Sequence, residues 1–229
     1  MFVLLHSVQS YEKISKKQRI MAKIIILGTA HEKNTPGKCS PDGRLREYAF
    51  SREVVTMVES ALRKLGYTVC VDYRPTEPLP AWTGKGWRVE QNRELAYRVS
   101  VVNSICKKHG TGNCLYVSVH VNAAGGDGKW HGASGFSVYV SNNASADSKA
   151  MARRFTVNAL DMDLTGNRSI PLCKYWQANL YVLRNTWCPA VLTENLFQDN
   201  REDVDFLLSD EGRQAIVDLH VRTIDEIAR

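Results

Sequence analysis

The chain has 229 residues, 44% of them hydrophobic, with a formal net charge of +6 and a pI near 9.0. That is enough apolar material for one α/β domain of ordinary size and too little for a second beside it. No apolar run approaches the roughly 20 residues of a membrane-spanning helix, and the Lys and Arg residues are dispersed without aromatic interleaving or a nucleic-acid motif, so neither a membrane span nor nucleic-acid binding is expected.

Residues 1–20 read as an N-terminal extension. The apolar stretch from Met1 to Leu5 is short, lacks a preceding basic region and is followed by Lys13, Lys16, Lys17 and Arg19, which makes a poor secretion signal. Synthesis in the cytoplasm without a signal peptide is the expectation, with either Met1 or Met21 as the native start. Residues 23–27 (Lys-Ile-Ile-Ile-Leu) form the first strand pattern, and His31 follows it. The loop after it contains Gly37-Lys38, but the glycine spacing is wrong for a phosphate-binding loop and Cys39 stands where Ser or Thr is needed.

Glu47 opens an amphipathic helix to Lys64, with Phe50, Val54, Val58, Ala61, Leu62 and Leu65 on one face and Gly66 as the stop. A strand over 68–71 is next. A long loop over 75–87 carries Trp82 and Trp87, and a second helix over 90–108 turns Leu95, Val99, Val102, Ile105 and Cys106 inward. The buried-strand run 114–119 ends at His120. A glycine-rich loop over 122–134 holds Trp130 and His131, and both long loops are candidates for a substrate groove. A strand over 135–140, a helix over 145–160, a strand over 190–193 ahead of Glu194 and a helix over 211–228 complete the chain. This alternation predicts a single α/β domain: a mostly parallel twisted central sheet flanked by helices on both faces.

His31, His120 and Glu194 directly follow three apolar runs of interior-strand character. In open α/β sheets reactive groups gather beyond the carboxyl ends of parallel strands, so these side chains can converge, with Glu47 joining from a helix start. Two imidazoles and a carboxylate suit a catalytic zinc that keeps one position for water, and a second carboxylate can serve as base. No serine sits in a strained elbow and no cysteine has an activating neighbour, so covalent catalysis has little support. The six cysteines lack paired metal-binding spacing and read as buried free thiols of a reducing compartment. His6, His109 and His220 read as solvated, and His131 as a surface or substrate-facing residue.

The segments around these residues resemble the zinc-dependent N-acetylmuramoyl-L-alanine amidases of the amidase-3 type. The words that carry the resemblance are Ile24 to His31 with Thr35-Pro-Gly37, Ser118-x-His120-x-Asn122-Ala123, the strand Gly135 to Val140, and Pro189 to Asn200 with Asp203 and Leu207; Tyr73-Arg74 and Arg98 with Asn103 are weaker echoes. They run in order from about Lys23 to the C-terminus. Two departures stand out: Gly28 replaces an Asp before the first histidine, and Tyr48 replaces a Lys after Glu47.

The resemblance implies a zinc held by His31, Glu47 and His120, Glu194 as catalytic base and acid, and Asn122 as a substrate contact. It implies hydrolysis of the lactyl amide between N-acetylmuramic acid and L-alanine in peptidoglycan, on the bacterial cell wall, by a single-domain phage endolysin or an autolysin with its catalytic domain over residues 21–229. A mildly basic surface suits that anionic substrate. A zinc peptidase or amidase on another substrate, and a silent wall-binding module, are the alternatives.

Overall fold

The protein is described from a computed structural model that covers residues 24–73 and 83–229. The N-terminal extension, the choice between Met1 and Met21, and most of the 75–87 loop with Trp82 lie outside the described residues.

Six strands form one sheet in the order β2-β1-β3-β6-β4-β5. They are β1 (Ile24–Thr29), β2 (Thr68–Val71), β3 (Cys114–Asn122), β4 (Ser137–Val140), β5 (Trp176–Gln177) and β6 (Ala190–Phe197). All neighbours are parallel except β4 and β6. The helices are α1 (Glu47–Lys64), α2 (Trp87–His109), α3 (Ala146–Asp161), α4 (Tyr181–Asn185), α5 (Arg201–Leu208) and α6 (Asp210–Ala228).

Both faces are covered, as the alternating pattern requires. One core joins α1, α3, α5 and α6 to Ile25, Leu27, Leu115, Val117, Val119, Val138 and Val191. A smaller one joins α2 and α4 to Ile26, Tyr116 and Leu192. No described helix is long and apolar enough to cross a membrane.

The strands that carry the site run further than their apolar stretches. β3 continues through His120 to Asn122 and β6 through Glu194 to Phe197, because the period of two persists: Tyr116, Ser118 and His120 share one face while Val117, Val119 and Val121 fill the other. Thus His120 and Glu194 lie inside their strands, whereas His31 sits two residues past β1. The element over 135–140 is strand only from Ser137, α2 begins at Trp87, and Leu65 caps α1 at 49% exposed rather than joining the core.

Three short elements, β5, α4 and α5, have no counterpart in the sequence pattern. His220 is not solvated: it is fully buried on α6. Its Nδ1 donates to the Ile216 carbonyl at 2.7 Å, which leaves Nε2 to accept from Thr193 Oγ1 at 2.9 Å. Of the six free cysteines, Cys106, Cys114 and Cys188 are buried, Cys39 and Cys70 are half-buried, and Cys173 is exposed.

Candidate active site

His31 leaves β1 with φ 35°, a left-handed conformation that a non-glycine residue adopts only when its surroundings impose it. They do. The preceding amide of Ala30 donates to Ser51 Oγ at 2.8 Å, and that hydroxyl donates to the Val119 carbonyl at 2.7 Å, tying the end of β1 to α1 and β3. The His31 carbonyl accepts from Arg98 Nη2 at 3.2 Å and Arg52 Nη2 at 3.3 Å.

Arg98 is buried among Asp72, Glu94 and the Thr29 hydroxyl. Burial pushes the Asp72 carboxyl up, against the pull of Arg98 and the hydrogen bonds it accepts. This network explains the first departure from the family pattern. A side chain at Gly28 would collide with the hydroxyl of Tyr116, which donates to Asp72 Oδ2 at 2.8 Å. The carboxylate near this strand end therefore comes from Asp72, after β2.

Glu47 is the first residue of α1, its amide donating to the Lys38 carbonyl at 3.1 Å and its carboxylate aimed at β3. His31, Glu47 and His120 converge so that one donor atom from each lies within 4.8 Å of the others. His120 Nδ1 is 3.0 Å from Glu47 Oε1, His31 Nε2 is 3.4 Å from Glu47 Oε2, and the two rings meet edge-on with centroids 5.1 Å apart. Glu194 stands beside His120 in the β3–β6 ladder.

The electrostatics are those of charges taken from water. Burial alone would raise the Glu47 carboxyl, but attraction to His31 and hydrogen bonds with both imidazoles hold it well below the usual carboxylate range. Burial pushes His120 down to about 4, with Glu47 opposing. Burial and then the Glu47 charge push the Glu194 carboxyl well above its ordinary value.

Three buried polar atoms here, His31 Nδ1, Glu47 Oε2 and Glu194 Oε2, have no hydrogen-bond partner. Leaving such atoms unpaired costs about 1–3 kcal/mol each. A divalent cation with an attached water fits this donor set, which offers the neutral-nitrogen and carboxylate ligands that zinc takes.

A cavity of about 250 Å³ opens over these residues, lined also by Lys38, Glu94, Arg98, Leu180 and Tyr181. Lys38 Nζ lies 3.7 Å from Glu47 Oε2. Lys38 has no sequence signature beyond the failed phosphate-loop pattern, and Arg98 is only a weak echo because burial among acids leaves no local signature.

Asn122 is near but turned to local work, its Oδ1 accepting from the Ala123 amide at 2.9 Å and its Nδ2 lying 3.4 Å from Ser137 Oγ. His131 is outside the convergence, paired through Nε2 with Asp127 at 2.9 Å. Trp130 packs against the larger core under Arg201, whereas Trp87 is 45% exposed at the start of α2.

The profile of the family described as N-acetylmuramoyl-L-alanine amidase matches residues 25–226. An endolysin of Bacillus phage SPP1 is 36% identical over 113 residues, which is 49% of this chain and 40% of that protein, so the chain spans well under half of that relative. Among solved structures, the CwlD amidase from Clostridioides difficile, in complex with the GerS lipoprotein, superposes with a TM-score of 0.75 at 20% identity, covering 90% of this chain and 98% of its own. The Ami1 amidase from Mycobacterium smegmatis gives 0.70 at 19% identity, covering 92% and 99%. These likenesses show the fold.

Proposed function

This chain belongs to the N-acetylmuramoyl-L-alanine amidase family, amidase-3 type, and from that premise we propose that it hydrolyses the lactyl amide between N-acetylmuramic acid and L-alanine of peptidoglycan. The observation that carries the reading is the convergence of donor atoms from His31, Glu47 and His120 within 4.8 Å of one another, with Glu194 beside His120 in the β3–β6 ladder. Residues 21–229 form the catalytic domain, and the bacterial cell wall is its place of action, in an endolysin or autolysin role.

His31, Glu47 and His120 would hold zinc. A bound zinc would supply a Lewis acid that lowers the pKa of water to about 7 and polarises a carbonyl. Glu194 takes the proton of the attacking water and returns it to the departing L-alanine nitrogen, one carboxylate serving as base and then acid. The Arg98 and Arg52 guanidinium groups fix the His31 backbone, so the imidazole is oriented before substrate arrives. The walls of α2 and α4 shield the site from bulk water, which strengthens every charge interaction inside it. Asn122, two residues past His120 at the end of β3, is the proposed substrate contact.

Mass spectrometry of purified peptidoglycan after digestion tests this. Stem peptides beginning at L-alanine, lost with chelator, regained with zinc and absent with Glu194→Ala, are the expected result. Intact glycan–peptide linkages alongside cleavage of a different amide would assign another substrate, and no cleavage by the zinc-loaded protein would leave a wall-binding module.

A further inference from the structure

Arg168, in the loop before β5, is a half-buried guanidinium that forms no close ion pair among the described residues, although its charge is felt by the Glu194 carboxylate. It is held by apolar faces and one hydroxyl. Its guanidinium lies 4.9 Å from the Trp176 ring centroid and 5.4 Å from that of Phe197, and Nη1 donates to Ser137 Oγ at 3.1 Å. A planar fork fixed this way loses little freedom on pairing and matches a carboxylate with two parallel N–H donors.

The sheet order gives this arginine a direction relative to the chemistry. His31 follows β1, His120 is on β3, Glu194 on β6, and Ser137 on β4 is the residue opposite Glu194. Trp176 on β5 pairs with Tyr139 of β4, on the same face as Ser137. Across the sheet, therefore, Glu194 lies between the His31–Glu47–His120 group and Arg168. Under the proposed reaction the scissile carbonyl sits at that group and the leaving nitrogen at Glu194, so whatever is attached to the nitrogen continues toward Arg168.

Resting on that proposed amidase reading, we infer that Arg168 is a substrate-recognition residue, which binds a carboxylate of the stem peptide on the leaving-group side. In a stem that begins L-alanyl-γ-D-glutamyl, the first carboxylate past the cut is the α-carboxylate of the glutamyl residue. An α-amide at the same place offers no negative charge and only one acceptor oxygen. Arg168 thus makes the enzyme prefer acidic over amidated stems.

The test compares two synthetic muramyl tripeptides, L-alanyl-γ-D-glutamyl-L-lysine with the glutamyl α-carboxylate either free or amidated, using zinc-loaded wild type, Arg168→Gln and Arg168→Lys. Wild type is expected to show the lower KM on the free acid. Arg168→Gln raises that KM about 10–100-fold, and raises it far more on the free acid than on the amide. Arg168→Lys, which keeps the charge without the fork, retains part of the preference. Thermal unfolding of each variant checks folding. Should Arg168→Gln fail to fold, the wild-type ratio and the lysine variant still decide. Equal kinetics of wild type on the two tripeptides, or an equal loss on both in the variants, overturns the assignment alone. Release of no free tripeptide from either compound or from sacculi overturns the amidase reading and this inference with it.

Discussion

On the face of the sheet covered by α1, α3 and α6, β3 contributes Leu115, Val117, Val119 and Val121 to a continuous apolar core. On the opposite face the alternate residues of the same strand are Tyr116, Ser118 and His120, and the neighbouring strand adds Leu192 and Glu194. A repeat of two lets one strand build a core and a reactive site at once. It also separates their roles: the first face holds the fold together through apolar packing, while the second carries the imidazole and carboxylate groups of the site.

The sharpest test of that separation is Glu194→Ala. Losing a positioned acid–base group lowers turnover by about 10²–10⁴-fold, yet the substitution also removes a buried carboxylate that burial pushes toward its neutral form. Thermal stability of the metal-free protein is expected to stay level or rise, and zinc content to persist. A drop in melting temperature alongside the activity loss would show that the site face also supports the fold.

The mirror experiment is Phe155→Ala. Phe155 is fully buried on α3 between Phe136 and His220, with ring centroids at 6.4 and 5.3 Å. The cavity left behind should remove about 3–5 kcal/mol of stability in denaturant titration, with kcat per folded molecule changed less than twofold. A large kcat effect in fully folded protein would couple the two faces.

Arg98 is where the division should blur. It lies on the site face, 2% exposed, yet it neutralises Asp72 and Glu94 and holds the His31 carbonyl. Arg98→Met leaves two buried acids without their cation, an expected loss of about 3–5 kcal/mol, and it also releases the His31 backbone. Zinc affinity, read by competition with a chelating dye, should therefore weaken together with stability.

The same contrast explains what was legible in the sequence. α1 declares itself through Phe50, Val54, Val58 and Leu62, and β1, β3 and β6 through dense aliphatic runs; residues that alternate or recur every three to four positions carry their own evidence. β5 has two residues and α4 five, too short for any period, and they exist because β4 and the smaller core hold them. Within the site, His31, Glu47, His120 and Glu194 could be picked out because each follows an apolar run or opens a helix. Arg168 could not, since Asn167, Ser169 and Pro171 around it carry no pattern and its neighbours Ser137, Trp176 and Phe197 come from three different strands. Gly28 was visible as a departure, but its cause, the Tyr116 hydroxyl bound to Asp72, needs three strands in register.

His220 is the exception on the core face, and it yields the smallest expected effect. A histidine between Leu219 and Val221, near the acids Asp218 and Asp225, gave no sign of which way it faced, yet α6 turns it fully inward against Thr193 and Phe155. Burial pushes its pKa down to about 4, against about 6.5 in an unfolded chain. The unfolded state therefore binds the proton more readily, and stability falls with decreasing pH. The contribution is intact above pH 6.5 and is lost progressively as pH falls toward 4, reaching about 2–3 kcal/mol near pH 4.5. Because His120 is also held near 4, wild type alone cannot isolate the effect. Comparing it with His220→Gln in chelator, by denaturant titration from pH 7.5 to 4.5, cancels the site histidine. The glutamine variant should be less stable at pH 7.5, having lost the fitted hydrogen bonds, and should lose less stability on acidification. Parallel pH curves for the two proteins would mean that the imidazole reaches solvent, and that the core face opens more readily than its packing implies.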